Sequence, residues 1–108
     1  VDAKPLRFVG SSLDDLRKFP DEARRAAGFN LRAVQNGLEP SDWKPMRQID
    51  SGVKEIRIHA DGEWRVIYVA SFREAVYVLH AFGKKTRKTS QKDIDLACRR
   101  YKQLEESL

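Results

Sequence analysis

Cysteine is almost missing from this 108-residue chain: Cys98 stands alone, so no internal disulfide framework is available. Histidine is scarce as well. His59 and His80 together with one cysteine do not make the ligand set of a structural zinc site. No apolar run approaches the roughly 18–20 residues that span a bilayer, and no signal-peptide pattern opens the chain. Repeats and low-complexity tracts are absent too. These absences leave a single small soluble domain over residues 1–108, expected in the cytoplasm without a bound metal or cofactor. Hydrophobic residues at 41% are enough for a modest core, and charged residues at 34% do not force disorder.

Acidic residues are also in deficit, 16 against 21 Lys and Arg, for a net charge of +5. The imbalance is local. Residues 84–103 hold eight Lys or Arg and two Asp, a net +6, which leaves −1 for the rest of the chain. One basic patch of this kind suits a polyanion or an acidic protein partner, although a solvated basic helix has the same composition.

Pro5–Val9 reads as a short strand, and Ser11 or Ser12 caps a helix, with Asp14 or Asp15 three residues on as a capping-box-like partner. Pro20 ends that short helix. Asp21 and Glu22 open a second one, with Ala23, Ala26, Ala27, Leu31 and Val34 on one face and Asn36-Gly37 at its end. Leu38–Gly52, with Pro40 and Pro45, reads as an ordered loop in which Trp43 plugs the core. Three strands follow, Val53–His59, Trp64–Ala70 and Ala75–Gly83. Thr89-Ser90 caps a last helix whose stripe is Ile94, Ala97, Cys98, Tyr101, Leu104 and Leu108. The expected fold class is α+β, in the order β-α-α-β-β-β-α, with a small, mostly antiparallel sheet, the two N-terminal helices on one face and a C-terminal helix.

Side-chain parity selects the hairpin register. A two-residue Asp61-Gly62 turn would mix core and charge, whereas a three-residue Ala60–Gly62 loop pairs Arg57 with Arg65 and Ile58 with Trp64. A four-residue Ser71–Glu74 connection then pairs Tyr68 with Tyr77 and Arg65 with His80. Ile56, Ile58, Trp64, Val66, Tyr68, Tyr77, Leu79 and Ala81 share the face under the helices. The opposite face carries Glu55, Arg57, His59, Arg65 and His80 among Ile67, Val69, Val76, Val78 and Phe82. That is too apolar for a bare solvent face, so the last helix or a partner covers part of it. Two arginines opposed in one row destabilise a sheet unless an anion or a carboxylate such as Glu55 sits between them. The loop Lys84–Thr89 leaves this face and enters a helix N-terminus, which itself favours anions.

The segment from Lys54 to Tyr101 resembles the RelE/ParE toxin superfamily of bacterial type II toxin–antitoxin systems, in its HigB-like, phage-derived branch. The matching elements are Glu55–Arg57, Arg65–Tyr68, His80–Phe82, Lys84–Thr89 and Asp93–Ala97, preceded by Gly37–Pro40 and Trp43–Met46. The resemblance implies a RelE-like fold. It further implies a ribosome-dependent, metal-free mRNA endonuclease that inhibits translation and is held inactive by an antitoxin, in this branch usually a helix-turn-helix DNA-binding protein. RelE itself has a tyrosine just after the basic loop. Here that stretch reads Ser90-Gln91-Lys92, so a tyrosine acid–base role does not carry over. ParE-like relatives share the fold and inhibit DNA gyrase without catalysis, and a non-catalytic RNA-binding module is a third reading.

Metal-free RNA cleavage uses the 2′-OH as nucleophile and requires charge stabilisation on the phosphorane. Arginine suits that task because its fork matches phosphate oxygens, which selects Arg65 with Arg57 beside it. His80 is the candidate for proton transfer near pH 7, with Glu55 as second candidate base. Lys84, Lys85, Arg87 and Lys88 would hold the RNA backbone and Phe82 would stack a base. Read without the resemblance, His80 is equally a semi-buried sheet residue and Phe82 a core residue. Cys98 reads as packing, and His59 as an exposed turn residue.

Overall fold

A computed structural model describes residues 3–108. Its elements are β1 (Leu6–Phe8), α1 (Ser12–Arg17), α2 (Asp21–Gln35), β2 (Trp43–Pro45), β3 (Val53–His59), β4 (Glu63–Val69), β5 (Val76–Gly83) and α3 (Gln91–Ser107). They build one five-stranded sheet in the order β1-β5-β4-β3-β2. β1 runs parallel to β5 and every other neighbour is antiparallel. The expected α+β architecture is present, with one more strand than the pattern showed.

That extra strand is β2, which lies inside the stretch read as a loop. Three residues, the last of them a proline, carry too little periodicity to announce a strand. Lys44 pairs with Glu55, and the Arg57 N–H extends the edge by donating to the Asp42 carbonyl at 2.8 Å. The plug of this segment is Met46, fully buried, rather than Trp43. Trp43 stays half-buried under the ammonium of Lys54, 4.4 Å from its ring centroid.

The two faces hold separate cores. On one, Leu16, Phe19, Ala23, Ala27, Leu31 and Val34 of the α1–α2 region close over Ile56, Ile58, Val66, Tyr68, Val76, Val78 and Ala81. Alanines at 23 and 27 let α2 lie close to the strands. On the other, Ala97 and Leu104 of α3 close over Met46, Val53, Ile67, Val69, Tyr77 and Leu79. Leu104 is the largest fully apolar anchor of α3, worth roughly 1.5–3 kcal/mol by burial alone. Leu108, expected on that stripe, is exposed, and Arg100 is buried in the helix face instead.

The β3–β4 register is the one parity selects: Arg57 opposes Arg65, Ile58 opposes Trp64, and Ala60–Gly62 forms the loop. Asp61 and Gly62 take positive φ (52° and 109°). The β4–β5 register differs from the expected one. Arg65 opposes Phe82, not His80, and Tyr68 opposes Val78, not Tyr77. The ladder slips between Ile67 and Tyr68, leaving Leu79 as the extra residue of a β-bulge. Tyr77 and Leu79 therefore join the α3 core, and Val76 and Val78 go to the α1–α2 core, the reverse of the expected sorting.

Helix capping is divided between expected and unexpected partners. Ser90 caps α3, accepting the Asp93 N–H at 3.2 Å and donating to its carboxylate at 2.6 Å. Ser11 precedes α1 without a side-chain cap bond. Its Oγ accepts from Arg100, while Ser12 donates to the Val78 carbonyl.

Candidate functional site

α3 covers only part of its sheet face. Two adjacent rows cross this face at the edge of that cover. Lys44, Glu55, Ile67 and His80 lie across β2 to β5, and Arg57, Arg65 and Phe82 lie beside them. Lys84 follows directly, fixed by its N–H on the Glu63 carbonyl at 2.8 Å.

Glu55 is the centre. Its side chain is fully buried, and Oε2 accepts the Thr89 hydroxyl at 2.8 Å. Oε1 has no hydrogen-bond donor. It lies 3.7 Å from Lys44 Nζ and 3.8 Å from Arg65 Nε. Arg65 is 6% exposed and gives Nη1 to the Trp64 carbonyl at 2.9 Å and to Glu63 Oε1 at 3.2 Å. Its Nε–H and that of Arg57 are buried without an acceptor. Lys84 feels the surplus charge. Burial first, then Arg65, with Lys44 and Arg57 adding, pull its ammonium below the ordinary lysine range, against the opposing pull of Glu55. Lys44 and Arg65 thus share one carboxylate, with Arg57 and Lys84 adding positive charge beside them. Each buried, unpartnered N–H costs about 1–3 kcal/mol, which an anion with several oxygens would recover.

An open depression of about 320 Å³ is bordered by Glu63, Arg65, Lys84, Lys85, Thr86 and Arg87. A second, about 200 Å³, lies between Phe82–Thr86, Lys88, Ser90 and Asp93. Lys85, Arg87 and Lys88 are exposed. Glu63 at the rim is held by His59, whose Nδ1 lies 2.8 Å from Oε2 and whose Nε2 lies 2.7 Å from Asp42 Oδ2. The hydrogen bonds to Asp42 and Glu63 raise the His59 pKa, and that from His59 lowers the Glu63 pKa.

His80 lies beneath this surface, 6% exposed. Its Nε2 is 2.7 Å from Asp93 Oδ1, and Nδ1 is 3.7 Å from Asp15 Oδ2 without a hydrogen bond. Phe82 stacks on the imidazole at 4.7 Å. The side chains proposed from the sequence are thus brought to one area, with Phe82, not His80, completing the arginine row.

Residues 14–102 match the family described as phage derived protein Gp49-like (DUF891). The chain belongs to the Gp49-like family. A solved structure of the E. coli toxin RelE, a double arginine-to-alanine mutant in the free state, superposes with a TM-score of 0.66 at 18% identity, covering 95% of this chain and 99% of that one. At that identity the likeness concerns the fold, and the Gp49-like chain has the RelE fold. Family and fold bear out the resemblance to the RelE/ParE superfamily. Among curated protein sequences none matches the chain.

Three contributors to this Gp49-like site were not read from the sequence. Lys44 was hidden with β2. Thr89, assigned to capping, donates to Glu55, 34 residues away, a pairing only the fold creates. Glu63 ties Arg65 to His59, and the alternation on β4 gives a signal for this, since Glu63 and Arg65 share a face.

Proposed function

We propose that this protein is the toxin of a type II toxin–antitoxin pair and an endoribonuclease that cuts mRNA on the ribosome, its antitoxin being a helix-turn-helix protein as in the HigB-like branch. The observation that carries the reading is the cation cluster in which Lys44 and Arg65 share one buried carboxylate and Arg57 and Lys84 lie beside them, with two guanidinium N–H groups lacking an acceptor. A phosphodiester fits that deficit. Arg57 and Arg65 take its non-bridging oxygens and hold the negative charge as the 2′-oxygen attacks phosphorus. Lys84, which borders the open depression beside Arg65, is the group assigned to passing the proton from the 2′-OH to the departing 5′-oxygen. The P–O5′ bond breaks, leaving a 2′,3′-cyclic phosphate and a 5′-hydroxyl. Glu55 sets the position of Arg65. His80, held by Asp93, acts by positioning Phe82 against a base. Lys85, Arg87 and Lys88 follow the RNA backbone.

Induced expression, followed by mapping of transcript ends, tests this. Cleavage is expected within translated codons and lost when the start codon of the reporter is removed. Growth arrest with intact transcripts and inhibited supercoiling would assign the protein to gyrase instead. Intact transcripts with RNA binding alone would leave a non-catalytic module.

A further inference from the structure

The outer face of α2, on the side of the sheet away from the cation cluster, carries the most exposed large apolar side chain among the described residues, Phe29 at 72%. Leu38, at 64%, stands at the end of the same helix. A Schellman motif brings it there: the Leu38 N–H bonds the Ala33 carbonyl and the Gly37 N–H bonds that of Val34. Ala33 is too small to cover Leu38. Helical spacing places Ala26, Phe29 and Ala33 in line toward Leu38. Arg25 and Arg32 flank Phe29 four residues before and three after, about 10 Å apart along the axis. Both are exposed, and among the described residues neither makes an ion pair, whereas the neighbouring Arg24 and Arg17 are paired with Asp21 and Asp14.

Gly28 adds an independent observation. A glycine inside a helix costs about 1 kcal/mol relative to alanine. A Cβ at Gly28 would meet nothing within 4 Å, and its φ is ordinary, so nothing within the fold requires it. It leaves the backbone bare beside Phe29, where another chain can come close.

We propose that this strip docks an acidic, amphipathic segment of a partner protein, with an apolar side chain on Phe29 and carboxylates on Arg25 and Arg32. Aromatic and arginine side chains together are the usual composition of binding hot spots. A second copy of this chain fits poorly, because a two-fold pairing about Phe29 brings the arginines of one copy onto those of the other. A nucleic-acid backbone fits poorly too, since its unbroken line of phosphates would run over Glu22 and Glu39 at the two ends of the strip, whereas a protein segment needs carboxylates only at Arg25 and Arg32. The proposal rests on the toxin–antitoxin reading for its partner, the antitoxin.

The test titrates the full chain with the product of the neighbouring gene by calorimetry, with Phe29→Glu, the pair Arg25→Glu/Arg32→Glu, and Gly28→Gln. All are surface changes, and thermal melts confirm folding. Each is expected to weaken the complex, Phe29→Glu by roughly thirtyfold or more, with RNA cleavage by the free chain unchanged. Wild-type affinity in all three variants overturns the docking surface while leaving the toxin reading intact. No complex with the unaltered chain overturns the docking surface together with the antitoxin on which it rests. Loss of RNA binding in Phe29→Glu would make the strip a nucleic-acid contact. A wild-type dimer that the variant dissolves would make it a self-interface. Either result also overturns the proposal.

Discussion

Arg65 and Arg100 are buried alike, 6% and 7% exposed, both on the α3 side of the sheet. Both terminal nitrogens of Arg100 have acceptors. Nη1 reaches the Leu79 carbonyl at 2.9 Å and Asp15 at 3.2 Å, and Nη2 reaches Ser11 at 2.8 Å. The acceptor at Leu79 is the bulged residue. Arg65 has a rim carboxylate and the carbonyl of its own neighbour, while its Nε faces the unpaired oxygen of Glu55 beyond hydrogen-bond length. Burial alone therefore does not define an arginine's work. A satisfied one holds elements together, and an unsatisfied one keeps donors for something that arrives later.

Exchanging the two residues for leucine should separate these roles most widely. Arg65→Leu is expected to slow RNA cleavage by 100-fold or more, the scale of losing a transition-state donor, while changing stability by no more than about 1 kcal/mol. Arg100→Leu should cost about 3 kcal/mol in urea unfolding, because Asp15 and a strand carbonyl lose their partner. Equal stability losses would erase the distinction. Glu55→Gln comes next. It keeps the shape and removes the only buried counter-charge of the cluster, so a loss of about 2 kcal/mol is expected, with the Lys84 pKa falling further in an NMR titration. Stability unchanged by that substitution would mean that the cations do not depend on Glu55.

Lys84→Met should move the other way on stability. The folded pKa of Lys84 is lowered, so its charged form costs the fold at neutral pH, and the cost fades as pH rises past that pKa toward 10.5. The variant is expected to melt slightly higher at pH 7 and to bind single-stranded RNA with a salt slope smaller by about 0.7. A lower melting point would remove Lys84 from the strained cluster. The smallest effect belongs to His59, which is half-exposed. Its folded pKa is raised, so its contribution is complete below pH 6.5 and is lost as pH rises through the folded value. Glu63, with a lowered pKa, contributes above pH 4.5 and loses its contribution as pH falls through its folded value. His59→Ala should therefore cost a few tenths of a kcal/mol near pH 5.5 and nothing near pH 9. A cost that grows with pH would show that the pairing works through the neutral imidazole.

The legible parts of the fold were those where one face differs in polarity from the other. On β3 and β4, Arg57 and Arg65 alternate with Ile58, Trp64 and Val66, and a one-residue slip would have put charge into the core. Val76–Leu79 is apolar on both faces of β5, so a bulge there changes no visible pattern, and the displacement of His80 from the arginine row was hidden. Arg100 is hidden in a different way. It follows Ala97 by three and precedes Leu104 by four, a stripe position, but only the carbonyl of a bulged residue explains a charge at that place. Of the site, the arginine row and the basic loop were visible as charge, whereas Lys44 and Thr89 depend on long-range packing.

The ties that complete this fold join β1 and α1 to β5 and α3. Leu6 lies beside Val76 in the one parallel pairing of the described sheet, and Arg100 reaches back to Ser11. During synthesis the first strand must wait for the fifth, and the first helix must wait for the last. Such distant pairings make folding slow relative to helical bundles of the same size. Until residue 100 has been translated and has left the exit tunnel, α3 cannot dock and the loop before it, with Thr89, cannot close on Glu55. The cationic face therefore comes into being only once α3 has docked and Thr89 has closed on Glu55.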